Sequence, residues 1–415
     1  VRQAVNELIG KVCEEGGVNR DDILDSVFVA NPIMHHLFLG IDPTELGQAP
    51  FALAVSSSLQ FWAHDIGIDI NRGARLYTLP CIAGHVGADA AGATLSEGPY
   101  RQDKMMLLVD VGTNAEIILG NRARVVAASS PTGPAFEGAE ISGGQRAAPG
   151  AIERVRIDPE TLEPKYRVIG VDKWSDEEGF EEAAGAVGVT GICGSAIIEV
   201  VAEMYLSGII SEDGVIDGAQ AARSPRIFEH GRTFSYLLRD GEPRLVITQR
   251  DVRAIQLAKA ALYAGVKLLM EKQGVDHVDM IRFAGAFGSF IDPKYAMVLG
   301  LIPDCDLANV KAVGNASGTG ALMALLNRDH RREIEDEVHR IEKIETALEP
   351  HFQQIFIDAM ALPNKVDAFP NLSKAVKLPP RQVDSPESVA AVAATGDAAP
   401  RRRSREERAA RRNRD

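Results

Sequence analysis

Met105–Gly120 (MMLLVDVGTNAEIILG) holds the residues best spaced for phosphate chemistry. The short apolar run Met106–Val109 reads as a buried strand, and Ala115–Leu119 reads as a second strand folding back. Between them lie Asp110 and the tight turn Gly112-Thr113-Asn114. A glycine there lets an anion approach the backbone, whose N–H groups can point at it, and Thr113 and Asn114 add side-chain donors. Asp110 is placed to hold Mg²⁺ through water, the usual way this ion is kept near phosphates. Glu116 joins it as the second candidate catalytic carboxylate. The same residues also suit a plain β-hairpin whose Asp and Asn are turn formers. On the turn alone both readings stand.

Glycine-rich stretches supply further candidates. Pro131–Gly144 (PTGPAFEGAEISGG) has few large side chains, which suits a backbone lining a ligand, with Gly133 and Glu137 as contacts. A flexible surface loop is the alternative. Gly185, Gly188, Gly191 and Gly194 recur every third residue before a predicted helix, Ala196–Leu206. A helix N-terminus after glycines is a natural anion site, so Gly191 and Gly194 are candidates too. Cys193-Gly194-Ser195 does not meet the GxSxG pattern and reads as a structural thiol. Val278–Phe283 is a strand running into Gly285-Ala286-Phe287-Gly288-Ser289, a second strand-to-glycine element. Such a pair suits a cleft with phosphates on one side and a base on the other.

The elements that must position these residues follow from periodicity. Asp251–Lys272 is a long helix with Val252, Ile255, Ala258, Leu262 and Val266 inward. Lys259 on it is a candidate to approach a nucleotide, with a solvent-facing lysine as the commoner case. Cys81–Thr94 is a glycine-spaced turn into a helix of small residues. Its GHVGAD lacks the full GxGxxG spacing, so close packing explains it better. His35-His36 point to different faces of a helix and do not easily ligate one ion, which leaves a packed or hydrogen-bonded histidine. Val1–Gly17 is an amphipathic helix with Val1, Val5, Leu8, Ile9 and Val12 on one face.

A chain of 415 residues is too long for one ordinary core. The polar connector Glu97–Lys104 is the expected boundary between 1–100 and 101–362, with 363–415 as an extended, disordered tail. The four cysteines are far apart, which excludes a local iron–sulfur or zinc spacing and predicts free buried thiols. The net charge of −13 argues against a nucleic-acid-binding core, although Arg401–Asp415 carries eight arginines. No apolar run is long enough to span a membrane, so a cytoplasmic protein is the default expectation.

Taken in order, several stretches resemble one family, the ATP-dependent reductive activators of corrinoid proteins. They are NPIMHHLFLGIDPTELGQAPF (Asn31–Phe51), LPCIAGHVGADAAG (Leu79–Gly92), LLVDVGTNAEIILG, SPTGPAFEGAEISGGQRAAPGAIE (Ser130–Glu153), GICGSAIIE, ITQRDVRAIQLAKAA (Ile247–Ala261), FAGAFGSFIDP (Phe283–Pro293) and GNASGTGA (Gly314–Ala321). The resemblance implies an α/β fold, a two-lobed actin-like (ribonuclease H-like) ATPase with mixed sheets. It implies that Asp110, Gly112, Thr113 and Asn114 form the second phosphate loop, and that Gly285, Ala286, Gly288 and Ser289 form the adenosine motif. Gly314, Ala316 and Gly318 would belong to a hinge helix. ATP and Mg²⁺ would be the cofactors and a corrinoid protein the partner, with a homodimer also plausible for such activators. ATP would drive the return of Co(II) corrinoid to Co(I). Members typically carry a [2Fe–2S] domain with a CxxxxCxxC signature and a first phosphate hairpin of DxGTT type. Neither is matched here, so the first lobe is expected to be incomplete, ATP affinity weakened and reductase activity absent from this chain alone. A small-molecule kinase of the same superfamily and a nucleotide-independent docking module are the alternatives.

Overall fold

The computed structural model describes residues 1–48 and 50–380. The chain opens with helix α1 (Arg2–Gly16), strand β1 (Asp25–Phe28) and helix α2 (Pro32–Leu39). The Asn31 side chain caps α2 by accepting from the Met34 amide, and Pro32 occupies its first turn. Strands β2 (Leu59–Trp62) and β3 (Arg75–Thr78) complete a small mixed sheet, ordered β1-β3-β2. Helix α3 (Ala88–Glu97) leads to β4 (Met106–Val111), β5 (Ala115–Asn121) and β6 (Arg124–Ser130). Next come β7 (Ala151–Ile157), β8 (Pro164–Val168), α4 (Phe180–Val187), β9 (Gly191–Ile192) and α5 (Gly194–Leu206). An antiparallel set follows: β10 (Ile227–His230), β11 (Thr233–Arg239) and β12 (Leu245–Thr248). Helix α6 (Gln249–Gln273) then feeds β13 (Met280–Ala284), the single turn α7 (Gly285–Gly288) and α8 (Pro293–Leu299). The remaining elements are β14 (Val310–Gly314), α9 (Ala316–Leu326), α10 (Arg328–Val338), β15 (Glu342–Lys343), α11 (Phe352–Asp358) and α12 (Pro370–Ala375).

The main sheet is ordered β14-β13-β4-β5-β6-β15. Strands β4, β5 and β6 are antiparallel, whereas β13 runs parallel to both β4 and β14. It is therefore mixed, as the hairpin plus crossovers predict. Alternation along the strands divides the core. Leu107, Val109, Ile117 and Leu119 join Val252, Ile255, Leu262 and Val266 of α6. Leu108 and Ile118 point the other way, to Ala90 and Ala93 of α3 and Ala316 of α9. Helices α3 and α9 cross at bare backbone: a Cβ on Gly320 would sit 1.9 Å from the Gly92 carbonyl oxygen. Only glycine permits that approach.

Helix α10 is tied to the small sheet and packs against α3 and α9. Its buried Arg331 donates to Asp25 at 2.8 Å, and Tyr77 donates to Glu335 at 2.7 Å. Ala324 and Ile334 share one core with Tyr77, Leu79 and Leu95. Val1–Pro379 form one compact unit, so the cores on either side of residue 100 are joined.

Two expectations need correction here. In α1 it is Val5 and Ile9 that pack inward and Cys13 that is buried, while Val1, Leu8 and Val12 are exposed. The inward stripe runs i, i+4, i+8, and the sequence offers a second apolar stripe beside it. The segment from residue 363 is also not extended at its start. Phe369 and Leu372 are buried, and Asp367 pairs with Lys267 at 2.7 Å and accepts from the Tyr263 hydroxyl. The rest of the expected tail, with its arginine-rich end, lies outside the described residues. Among the described residues no helix is long and apolar enough to cross a membrane. The four cysteines are free and buried.

The paired histidines part company. His36 has both ring nitrogens satisfied, by the Pro32 carbonyl at 2.8 Å and the Ala54 amide at 3.1 Å. His35 is 2% exposed and neither ring nitrogen has a partner. Burial, then the neighbouring His36, pushes it down to about 4. A base whose folded pKa is lowered loses stability as pH falls from about 6.5 towards 4, because the unfolded chain takes the proton first. Urea unfolding at pH 7 and pH 5 is expected to differ by roughly 2 kcal/mol more in the wild type than in His35→Leu. Equal pH slopes in the two proteins would refute this.

Candidate functional site

The parallel pairing of β4 with β13 sets Asp110 beside Ala284, so the two strand-to-glycine elements end at one place. Gly285 follows with φ +83°, and a Cβ there would lie 2.2 Å from Asp110 Oδ1. Any side chain would displace the carboxylate. Across the hairpin Asp110 is the register partner of Glu116. Both share the strand face of Leu108 and Ile118, which carries α3. A third carboxylate, Asp89, comes from the first turn of α3.

These three acids act on one another. Asp110 is raised to about 6 by burial and then by the charge of Asp89. Glu116 is held well above the usual range by burial, then by Asp89 and Asp110. Burial also raises Asp89. Asp89 is not among the residues the sequence singles out, because GHVGAD equally suits close packing. An acid two residues past the last glycine of a loop entering a helix is the signal that was available. A cavity of about 430 Å³ adjoins the cluster, lined by Asn31, Met34, His85, Asp89, Thr113, Asn114 and Glu116 among others.

The Gly112–Asn114 turn is held from one side. The Thr113 hydroxyl donates to Glu137 Oε1 at 2.7 Å, and the Gly133 amide donates to the Thr113 carbonyl at 2.9 Å. Gly133 begins a short 3₁₀ turn, Pro134–Glu137, in which Phe136 is fully buried and stacks on Phe287 at 6.1 Å. Gly133, Glu137 and Phe287 thus bind the Gly112–Asn114 turn and the Gly285–Ser289 loop into one locus. In that loop Ala286 is exposed, Gly288 is buried, and the Ser289 hydroxyl donates back to the Gly285 carbonyl at 2.9 Å.

Three expected contacts fall elsewhere. Gly191 and Gly194 are buried: a Cβ on Gly191 would meet the Gly143 carbonyl at 2.6 Å, and one on Gly194 would meet that of Phe136 at 2.0 Å. They serve close packing of loop on strand and helix, and do not line the cavity. Lys259 is fully buried on α6, where its Nζ donates to the carbonyls of Ala361 and Pro363. Its face of the sheet is opposite to that of α3, so it does not approach the carboxylate cluster. A larger cavity of about 510 Å³ lies along α6 and the C-terminal segment. Asp304 there accepts from the Asn371 and Leu372 amides and Asp367 pairs with Lys267, so these acids close a structural seam.

A mixed sheet with a central hairpin, a glycine loop on the neighbouring parallel strand and a crossed pair of small-residue helices is an actin-like α/β architecture. The profile of the C-terminal domain of RACo, the ASKHA domain, matches residues 104–373, and that of the RACo middle region matches residues 1–102. The chain belongs to this family. It is 34% identical over 370 residues to the corrinoid activation enzyme RamQ of Eubacterium limosum, spanning 86% of this chain and 59% of RamQ. It is 28% identical over 242 residues to a [Co(II) methylated amine-specific corrinoid protein] reductase of Methanosarcina barkeri, covering 54% of this chain and 39% of that protein. A solved reductive activator for corrinoid, iron–sulfur protein matches with a TM-score of 0.74 at 33% identity, over 88% of this chain and 56% of that one. The chain therefore spans 59% of RamQ, 39% of the Methanosarcina reductase and 56% of the solved activator, less than two thirds of each.

Proposed function

We propose that this chain is the nucleotide-binding part of a reductive activator, which uses ATP to return Co(II) corrinoid on a partner protein to Co(I). The electron would come from an iron–sulfur domain. The observation that carries the reading is the meeting of Asp89, Asp110 and Glu116 with the Gly112-Thr113-Asn114 turn and the Gly285–Ser289 loop. Phosphates would lie against the turn, and the nucleoside against the loop behind Phe287.

The donor set fits hydrated Mg²⁺. All three acids offer hard oxygen ligands, and their mutual repulsion is relieved by a cation. Among the described residues no three His, Cys, Asp or Glu side chains converge closely enough to grip a metal ion directly. Mg²⁺ would be held by these acids through its bound waters. Bound Mg²⁺ would supply charge neutralisation at the phosphates. Asp110 and Glu116 would orient its waters, and Asp89 would stand at the helix N-terminus facing them. The reading requires no covalent step on the protein: closure of the cleft on nucleotide changes the surface offered to the corrinoid protein.

Calorimetry of the 415-residue chain with MgATP, followed by capture of a Co(II) corrinoid protein with and without nucleotide, tests this. The expected result is MgATP binding that is lost in EDTA, with capture dependent on nucleotide. Absence of nucleotide binding would sink the reading, and capture indifferent to nucleotide would leave only a docking module. A cytoplasmic homodimer belongs to the same proposal, and light scattering of the purified chain addresses the dimer.

A further inference from the structure

We propose that Thr132 is a positioning residue that shapes the phosphate turn, an assignment that rests on the nucleotide reading above. Thr132 follows β6 and Pro131 and is 5% exposed. Its hydroxyl lies 2.6 Å from the Gly112 carbonyl oxygen and 3.0 Å from that of Thr113, donating towards both. The Gly133 amide adds a second bond to the Thr113 carbonyl at 2.9 Å. Two consecutive carbonyls of the turn are therefore drawn to one side, towards residues 132 and 133.

The consequence follows from the peptide unit itself. In a planar trans peptide the C=O and N–H point in opposite directions. The Gly112 carbonyl shares its peptide with the Thr113 N–H, and the Thr113 carbonyl shares its peptide with the Asn114 N–H. Neither peptide is cis. Holding both carbonyls against Thr132 turns the N–H groups of Thr113 and Asn114 together to the opposite side. Successive N–H groups facing one way make a concavity for an anion. Thr113 and Asn114 are also the turn residues that line the cavity with Asp89 and Glu116. The Thr113 hydroxyl, engaged by Glu137, closes the same side. Thr132 would touch no phosphate; it acts through the direction it imposes on the turn. Its β-branched side chain, stiff at χ1, suits a buried peg better than serine or cysteine would.

The test compares MgATP, MgADP and AMP binding by calorimetry for the full chain, Thr132→Val and Thr132→Ser. Valine keeps the shape and removes the hydroxyl. The expected result is about a tenfold loss of MgATP and MgADP affinity in Thr132→Val, with AMP within about twofold of wild type. Thr132→Ser should recover most of that loss, and a thermal melt of each protein confirms that it is folded. Unchanged MgATP affinity in Thr132→Val would overturn the assignment while leaving the nucleotide reading intact. An equal loss for AMP, or an unfolded valine variant with serine also weakened for AMP, would show general disruption and overturn it too. No MgATP binding by the wild type would remove the nucleotide reading itself, and this assignment with it.

Discussion

Replacing Asp110 with Asn is expected to weaken MgATP binding severely and, at neutral pH, to make the protein more stable. The two effects have one cause. Asp110 is raised to about 6 by burial and by Asp89, so keeping it ionised at pH 7 is unfavourable in the folded chain. A shift from 3.8 to about 6 corresponds to roughly 3 kcal/mol at 1.36 per unit, and partial exposure brings the expected effect nearer about 2. An acid whose folded pKa is raised contributes stability that is full below its unfolded pKa and is lost as pH rises through the folded one. Wild type and Asp110→Asn should therefore unfold alike near pH 4 and diverge between about pH 4 and 6, the variant melting a few degrees higher at pH 7. The same replacement removes a negative oxygen from the cation side of the site, and a loss of at least about 100-fold in MgATP affinity is expected. Melting curves across pH and calorimetry at pH 7.5 check the pair. A variant that binds MgATP normally would remove Asp110 from the site, and one that melts lower at pH 7 would show that its carboxylate has a partner in the folded state. Tension between stability and binding is what a site built to receive a cation should show.

Much of the fold was legible because local pattern and tertiary placement agree. The hairpin from Met106 to Asn121 combines two apolar strands with a turn that glycine favours, and both strands formed. The inward set of α6 is buried as its period requires, closed by the Thr248–Asp251 capping box and by Gly274. The adjacency of Asp110 and Gly285 was legible only as two similar motifs; it takes the parallel pairing of strands some 170 residues apart to join them. Asp89 went unread for a related reason. Its partners Asp110 and Glu116 lie on other elements, and its one local mark, the glycine loop just ahead of it, suits close packing equally well. The helix pair α3 and α9 shows the converse. Small residues were visible in both, but only the crossing at Gly92 and Gly320 gives them a purpose. The segment after residue 363 reads as a tail because it is rich in proline and polar groups, yet Phe369 and Leu372 are enough to seat it on the core.

Lys259 is where periodicity and chemistry pull apart, and its replacement should be among the most damaging changes in the chain. Ile255, Lys259, Leu262 and Val266 follow one another at i, i+4, i+7 and i+11, so helical spacing alone directs the lysine inward. What spacing cannot show is its partners, the carbonyls of Ala361 and Pro363, about a hundred residues away. Complete burial holds the amine well below the usual lysine range. Met fills the stem's volume but leaves both carbonyls without a donor, each at about 1–3 kcal/mol, and a loss of about 4 kcal/mol in urea unfolding at pH 7 is expected. The segment those carbonyls anchor carries Asp367, Phe369 and Leu372, so limited proteolysis of Lys259→Met should begin between residues 359 and 376 before the rest of the domain opens. Unfolding indistinguishable from wild type would mean that the amine does not hold this segment. The variant also separates the two roles that the sequence left open for Lys259. Folded Lys259→Met, measured well below its transition, should bind MgATP within about twofold of wild type. A tenfold loss there, with the C-terminal segment still protected, would restore the lysine to the nucleotide site.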